Sequence, residues 1–206
     1  MTEDRHQAPL PSPEDALTRL KMGNLRFVLG EARFPTVPRE VLADLAKGQQ
    51  PFATILACSD SRVPPELVFD AGFGELFVVR VAGNVLGSAV AGTLQYATVH
   101  LRTPLFVVMG HQGCGAVKAA LAAKFEGALH CERIELLLEG ILPSLDDVDA
   151  TLPAAALLDA AVEANVRRTV RQLRASPEGR AELASGAMKL VGAVYDLDTG
   201  RVRFLE

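Results

Sequence analysis

Three side chains able to bind a soft metal stand in two short clusters. Cys58 opens the run Cys58-Ser59-Asp60-Ser61-Arg62, and His111 and Cys114 fall within Gly110-His111-Gln112-Gly113-Cys114-Gly115. Thiolate and imidazole are the ligands zinc prefers, in a tetrahedral shell. Catalytic zinc sites use three protein ligands and leave the fourth position to water. His111 and Cys114 are three residues apart, so one turn of backbone can aim both at a single ion. Asp60 and Arg62 follow Cys58 at intervals of two and can share one side of a loop. Paired with Arg62, Asp60 stays ionised at neutral pH and can accept a hydrogen bond from zinc-bound water. Zinc lowers the pKa of that water from ~15.7 to ~7, which makes a hydroxide nucleophile suited to a small carbonyl-like carbon. Gly110, Gly113 and Gly115 leave room for a small substrate.

Each of these residues also has an ordinary reading. A buried Cys alone is a small hydrophobe, and Asp60 with Arg62 could be a loop ion pair without a catalytic part. The argument for a site is their company at two strand ends. Cys131 lacks such company and reads as a packed or idle thiol.

Both clusters follow apolar runs, Phe52-Ala53-Thr54-Ile55-Leu56 and Leu105-Phe106-Val107-Val108-Met109, which read as buried strands. Open α/β sheets carry their reactive groups at such strand ends. Further strands are expected over Glu75–Val81, Lys189–Tyr195 and Val202–Leu205, the last pair joined by the turn Asp198-Thr199-Gly200. Ser12-Pro13-Glu14-Asp15 is a helix start, with the helix running to about Leu29 and stopped by Gly30. Other helices are expected over Pro38–Lys47, from Pro64-Pro65-Glu66, over Ser88–Leu101, Gly115–Phe125, Cys131–Ile141 and Leu157–Ala175. The alternation implies an α/β fold: a mostly parallel central sheet flanked by helices. It carries an antiparallel C-terminal edge strand and an N-terminal helical arm. Residues 1–206 form one zinc-dependent catalytic domain on this reading, with 1–11 a loose arm.

Composition bounds the function. The 206 residues suffice for one domain with a sizeable core. A net charge of −4, with no long like-charge run, gives nucleic acid no footing. No stretch is apolar enough to span a bilayer, and the N-terminus lacks the apolar centre of a signal peptide. The expected location is the cytoplasm. Three cysteines in that setting favour metal binding over disulfides.

These motifs resemble the β-class carbonic anhydrases. The segments carrying the resemblance are Cys58–Val63, Gly74–Arg80, Ala82-Gly83-Asn84, Gln95-Tyr96-Ala97 and Gly110–Gly115. The resemblance implies reversible hydration of carbon dioxide to bicarbonate and a proton by zinc-bound hydroxide, a lyase activity with one zinc per chain. It makes Cys58, His111 and Cys114 the zinc ligands and Asp60 with Arg62 the catalytic pair. It places Gln49, Phe77 and Tyr96 in the substrate pocket, with the Gly115 N–H near a bound anion. It also implies a homodimer or a dimer of dimers whose pocket residues reach across the interface. One subgroup of the family is regulated by bicarbonate through a Trp, an Arg and a Tyr. Arg80 and Tyr96 match, but Ile55 stands at the Trp position, so an open site without that regulation is expected. Val81 replaces an Asn common in the family.

Three other readings remain at this level. Carbonyl sulfide or carbon disulfide, also small and linear, could be the substrate on the same scaffold. A non-enzymatic module could use Asp60 as a fourth zinc ligand in a closed shell. A thiol phosphatase could use Cys58 as nucleophile, though it would need a longer loop to Arg62. His100 or His130 could relay the released proton, but each also reads as an ordinary surface histidine.

Overall fold

The structure, a computed structural model, describes residues 9–33 and 39–205. Most of the expected N-terminal arm and the expected helix start at Pro38 lie outside the described residues.

The first helix, α1 (Pro13–Leu29), has the ends its sequence specifies. Ser12 Oγ accepts from the Asp15 N–H at 3.1 Å, Pro13 occupies the first position, and Gly30 closes the helix at φ 72°. Leu17 and Leu20 are buried, and Asn24 Nδ2 donates to Val68 O at 3.1 Å and to Gly200 O at 2.9 Å. The helix is thereby tied to Val68 and to the turn near the C-terminus. Then follow α2 (Arg39–Leu45), β1 (Ala53–Ala57), α3 (Pro65–Val68), β2 (Leu76–Arg80) and α4 (Ser88–Tyr96). They are succeeded by β3 (Leu105–His111), α5 (Gly115–Glu126), α6 (Glu132–Leu138), α7 (Ala154–Ala175), α8 (Pro177–Ser185), β4 (Lys189–Tyr195) and β5 (Val202–Leu205).

The five strands lie in the order β2-β1-β3-β4-β5, parallel except for the last pair. Alternate residues of a strand face opposite sides of a sheet. Ile55, Leu105, Val107 and Met109 accordingly join one core, with α1, α5 and α6 residues, while Leu56, Phe106 and Val108 join the other. Both faces are covered, which is why β1 and β3 read as unbroken apolar runs and are buried throughout.

Several boundaries differ from the sequence expectations. β3 continues past Met109 through His111, because its ladder with β4 extends to His111↔Tyr195. The expected helix over Ser88–Leu101 is α-helical only to Tyr96 and widens into a π-type turn over Ala97–Leu101. Thr98 Oγ1 donates to Leu94 O at 3.1 Å, a side-chain competitor for the helix carbonyl. The helix expected over Cys131–Ile141 ends at Leu138, and a separate 3₁₀ turn follows at Leu142–Leu145. α7 starts three residues before Leu157, directly behind Pro153. Helix α8 was not expected, although Ser176-Pro177-Glu178 repeats the start signal of α1: Ser176 Oγ accepts from the Gly179 N–H at 3.0 Å. Cys131 is exposed, so of its two readings the packed one fails.

Candidate metal centre

The parallel register of β1 and β3 brings the two clusters together. Ala57 stands opposite Met109, so Cys58, the next residue, leaves β1 beside the end of β3 where His111 sits. Cys114 follows His111 through a turn made by Gly113 at φ 65° and precedes α5. β1 has β2 on one side and β3 on the other, so the chain reverses its direction of winding here. A crevice at the carboxyl ends of the strands is where such sheets bind ligands.

The ligand atoms of Cys58, His111 and Cys114 lie within 4.8 Å of one another, and all three residues are buried. The two sulfurs are 4.0 Å apart. Two thiolates on one tetrahedral zinc would be separated by about 3.8 Å, given Zn–S of ~2.3 Å. His111 Nδ1 lies 2.9 Å from Gln112 O. A carbonyl can only accept, so Nδ1 carries the proton and Nε2 presents a lone pair. Nε2 is buried and makes no hydrogen bond among the described residues. A buried polar atom without a partner is costly, and a metal ion is the partner that an imidazole lone pair facing two sulfurs accepts. The residues therefore fit zinc.

The two sulfurs are hydrogen-bonded to each other and shift in opposite directions. The hydrogen bond from Cys114 is the main influence lowering Cys58, against the effect of burial, with the Asp60 and Gly83 N–H groups assisting. Cys114 is pushed up, first because it donates to Cys58 and then by burial. The N–H groups of Val117 and Ala116 at the start of α5 pull the other way, as a helix N-terminus does for any adjacent anion.

Asp60 and Arg62 form a two-point pair beside the cluster. Arg62 Nε donates to Asp60 Oδ1 at 2.9 Å, and its terminal nitrogen to Oδ2 at 2.8 Å. The Arg62 backbone N–H also donates to Oδ1, at 3.0 Å. The Arg62 hydrogen bond is the main reason the Asp60 carboxyl sits well below the usual carboxylate range. Asp60 Oδ2 is 3.9 Å from His111 Nε2. With both oxygens engaged by Arg62, Asp60 is an outer neighbour of the cluster.

Arg80, at the end of β2, donates to Cys58 O at 2.9 Å and also to Asp60 O. Its guanidinium clamps the Cys58–Asp60 backbone. Gln112 fixes the other loop, accepting from the Leu197 N–H at 3.1 Å and donating to Asp198 at 3.1 Å. Sequence reasoning missed Asn165, which donates to Gly83 O at 2.8 Å, while Gly83 N–H points at Cys58 Sγ, 3.4 Å away. A signal was present: Asn165 breaks an otherwise apolar helical stripe that includes Ala161, Val162 and Val166.

The remaining expected pocket residues do not gather at this cluster within one chain. Phe77 stands opposite Thr54, four positions before Cys58 along β1, and Gln49 precedes β1 altogether. Tyr96 stacks on Phe77 with ring centroids 6.3 Å apart, and on its other side meets His100 at 4.7 Å. His100 precedes β3 and so lies toward the end of the sheet away from His111. Gly115 does adjoin the cluster, as the first residue of α5.

A parallel sheet with a Cys-His-Cys cluster and a carboxylate–guanidinium pair at its switch point defines a mononuclear zinc enzyme of the α/β class. The carbonic anhydrase family profile matches residues 53–202, and the chain belongs to that family, in its β class. It is 41% identical over 194 residues to carbonic anhydrase 2 of Mycobacterium tuberculosis, covering 94% of this chain and 93% of the relative. It is 40% identical over 195 residues to a carbonic anhydrase of Mycolicibacterium smegmatis, covering 94% of each. Among solved structures it resembles a Coccomyxa β-carbonic anhydrase bound to acetazolamide, at TM-score 0.71 and 29% identity. That match covers 97% of this chain and 87% of the other.

Proposed function

We propose that this protein is a zinc-dependent lyase that interconverts carbon dioxide and bicarbonate, with residues 1–206 forming a single catalytic domain. The observation that carries the reading is the buried His111 Nε2, without a hydrogen bond among the described residues, facing Cys58 and Cys114 beside the Asp60–Arg62 pair. Cys58, His111 and Cys114 would hold one zinc per chain. When bound, zinc supplies Lewis acidity that brings the pKa of a water from ~15.7 to ~7.

The protein's own groups supply the rest. Arg62 keeps Asp60 ionised, and a carboxylate this acidic is an acceptor that orients a proton-bearing group without storing the proton. Its position 3.9 Å from Nε2 suits an acceptor for a hydroxyl held at the cluster. An acceptor so placed would orient a water's proton and so its approach to carbon dioxide in the crevice, which is catalysis by orientation. Arg62, more than half exposed, keeps a positive face toward solvent for the anionic product. Hydration releases one proton for each bicarbonate, and we assign no shuttle residue.

Carbon dioxide is favoured over carbonyl sulfide or carbon disulfide because the relatives at 40–41% identity are named carbonic anhydrases. A closed four-ligand module is disfavoured because Arg62 occupies both Asp60 oxygens.

The substrate pocket is completed by a second copy of the chain. Gln49 ahead of β1, Phe77 on β2 and Tyr96 at the end of α4 lie away from their own cluster, and Tyr96 and Val99 are about half exposed. A homodimer or a dimer of dimers would bring them to a partner's crevice. Among the described residues no helix is long and apolar enough to cross a membrane. A reducing cytoplasm suits three free cysteines. The deciding experiment is zinc content together with stopped-flow carbon dioxide hydration. One zinc per chain and rapid hydration are expected, and a protein with zinc and no hydration would overturn the reading.

A further inference from the structure

We propose that Asn165, on α7, is a positioning residue of the metal centre. Its amide holds the Gly83 turn so that the Gly83 N–H points at Cys58 Sγ, and so sets how much electron density that sulfur gives a bound metal. The inference rests on the reading of Cys58, His111 and Cys114 as metal ligands.

Asn165 is 1% exposed, on a helix face shared with Ala161, Val162, Val166 and Thr169. A buried amide costs free energy unless its polar atoms are paired. Here only one end is: Nδ2 donates to Gly83 O at 2.8 Å, while Oδ1 finds no partner among the described residues. Because Gly83 O can only accept, the group facing it is the NH₂. A Leu of similar size would fill the same space without that cost. The amide is explained by the one bond it makes.

That bond fixes an unusual backbone. Gly83 has φ 65° and ψ 19°, and Asn84 follows at φ 44°. Left-handed conformations at two successive residues need support from their surroundings. A Cβ on Gly83 would come within 2.7 Å of Ile141 Cδ1 and 3.1 Å of Ala116 Cβ, so this side of the turn packs closely. Asn165 anchors the carbonyl from another element. Between these restraints the Gly83 N–H lies 3.4 Å from Cys58 Sγ. A hydrogen bond to a metal-bound thiolate draws charge from the sulfur and tunes the metal.

The test uses cobalt(II) in place of zinc, because the sulfur-to-cobalt charge-transfer band reads the sulfur directly. Two variants remove the amide. Asn165→Leu keeps the size, and Asn165→Ser offers a hydroxyl that bonds the preceding helix turn and is too short to reach Gly83. If Asn165→Leu fails to fold, Asn165→Ser carries the test. Leu173→Ala, on the same helix but packed, partly buried, against the core of the other sheet face, is the control for lost stability. In the Asn165 variants the band should move to longer wavelength, and the cobalt Kd from chelator competition should rise about 10- to 100-fold. Leu173→Ala should lower the melting temperature and leave the band in place. An unshifted band and unchanged Kd in the Asn165 variants would overturn the inference, as would an equal band shift in Leu173→Ala. A wild-type protein that bound cobalt without any sulfur band would instead overturn the metal-centre reading beneath it.

Discussion

Asp60 Oδ2 lies 3.9 Å from His111 Nε2 while Arg62 grips both oxygens of the same carboxylate. The carboxylate is close enough to direct a group at the metal cluster and is held from joining the cluster itself. Asp60→Asn keeps the shape but removes the charge and half of the acceptor capacity. The variant is expected to retain about one zinc per chain and to lose about 10²-fold or more of its hydration rate. Metal analysis and stopped-flow hydration on the same sample check both halves. Loss of zinc in the variant would make Asp60 a ligand.

Removal of the metal should act on stability as well as rate. Three ligands from two distant segments join β1, β3 and α5, so zinc acts as a cross-link that favours the folded state by mass action. Dialysis against a chelator should abolish hydration and lower the melting temperature, and added zinc should restore both. Cys58→Ser should show weakened zinc retention and the lower melting temperature without chelator. A thiol phosphatase would keep its activity after chelation.

Acid stability should report Asp70. Its side chain is 1% exposed, and Arg26 and Arg33 donate to it at 2.5 and 3.1 Å, with the Arg33 N–H at 2.8 Å. Burial pushes this carboxyl up, but the hydrogen bonds from Arg26 and Arg33 outweigh it and leave it lowered. A folded value below the unfolded ~3.9 gives stability that is fully present above about pH 4. It is lost as the pH falls through the folded value. Urea unfolding should weaken below pH 4 in the wild type and show a flatter acid limb in Asp70→Asn. That variant should also lose about 1–3 kcal/mol at neutral pH.

The close approach of α1 to α3 depends on Gly23. A Cβ there would meet Phe69 O at 1.9 Å, and a backbone carbonyl cannot swing aside as a flexible side chain does. Gly23→Ala should cost about 2–4 kcal/mol by urea unfolding despite Ala's better helix propensity. Gly92→Ala is the control, since a Cβ at Gly92, also in a helix, meets nothing within 4 Å. It should be neutral or stabilising.

A pocket completed by a partner chain, as proposed above, should be lost when the chains are separated. Val99→Asp places a charge on an exposed apolar position near Tyr96 and away from the zinc cluster. Sedimentation should show the wild type as a dimer or larger and the variant shifted toward monomer. The variant should keep its zinc and hydrate carbon dioxide more slowly. A monomeric variant with full activity would remove the partner from the pocket.

Chemistry and strands were legible because their signals are local. Cys58, His111 and Cys114 announce a soft-metal site by type, and the apolar runs ahead of them announce buried strands. Polar and glycine signals at Ser12, Pro13 and Gly30 marked α1. The same signal at Ser176 and Pro177 was present and went unused, so α8 was missed. The widening after Tyr96 was not legible, because Ala97–Leu101 continues the same apolar helical pattern as α4.

The sequence alone determined which ligands are available, that Asp60 would be paired with Arg62, and that the sheet would be mostly parallel. Only the tertiary structure decided that Cys58 meets His111, since strand order and register join residues that no local rule relates. It alone placed Phe77 opposite Thr54, and so away from its own chain's cluster. It alone revealed Asn165 behind Cys58, because a single polar residue in a helix stripe has no meaning until the groups facing it are known.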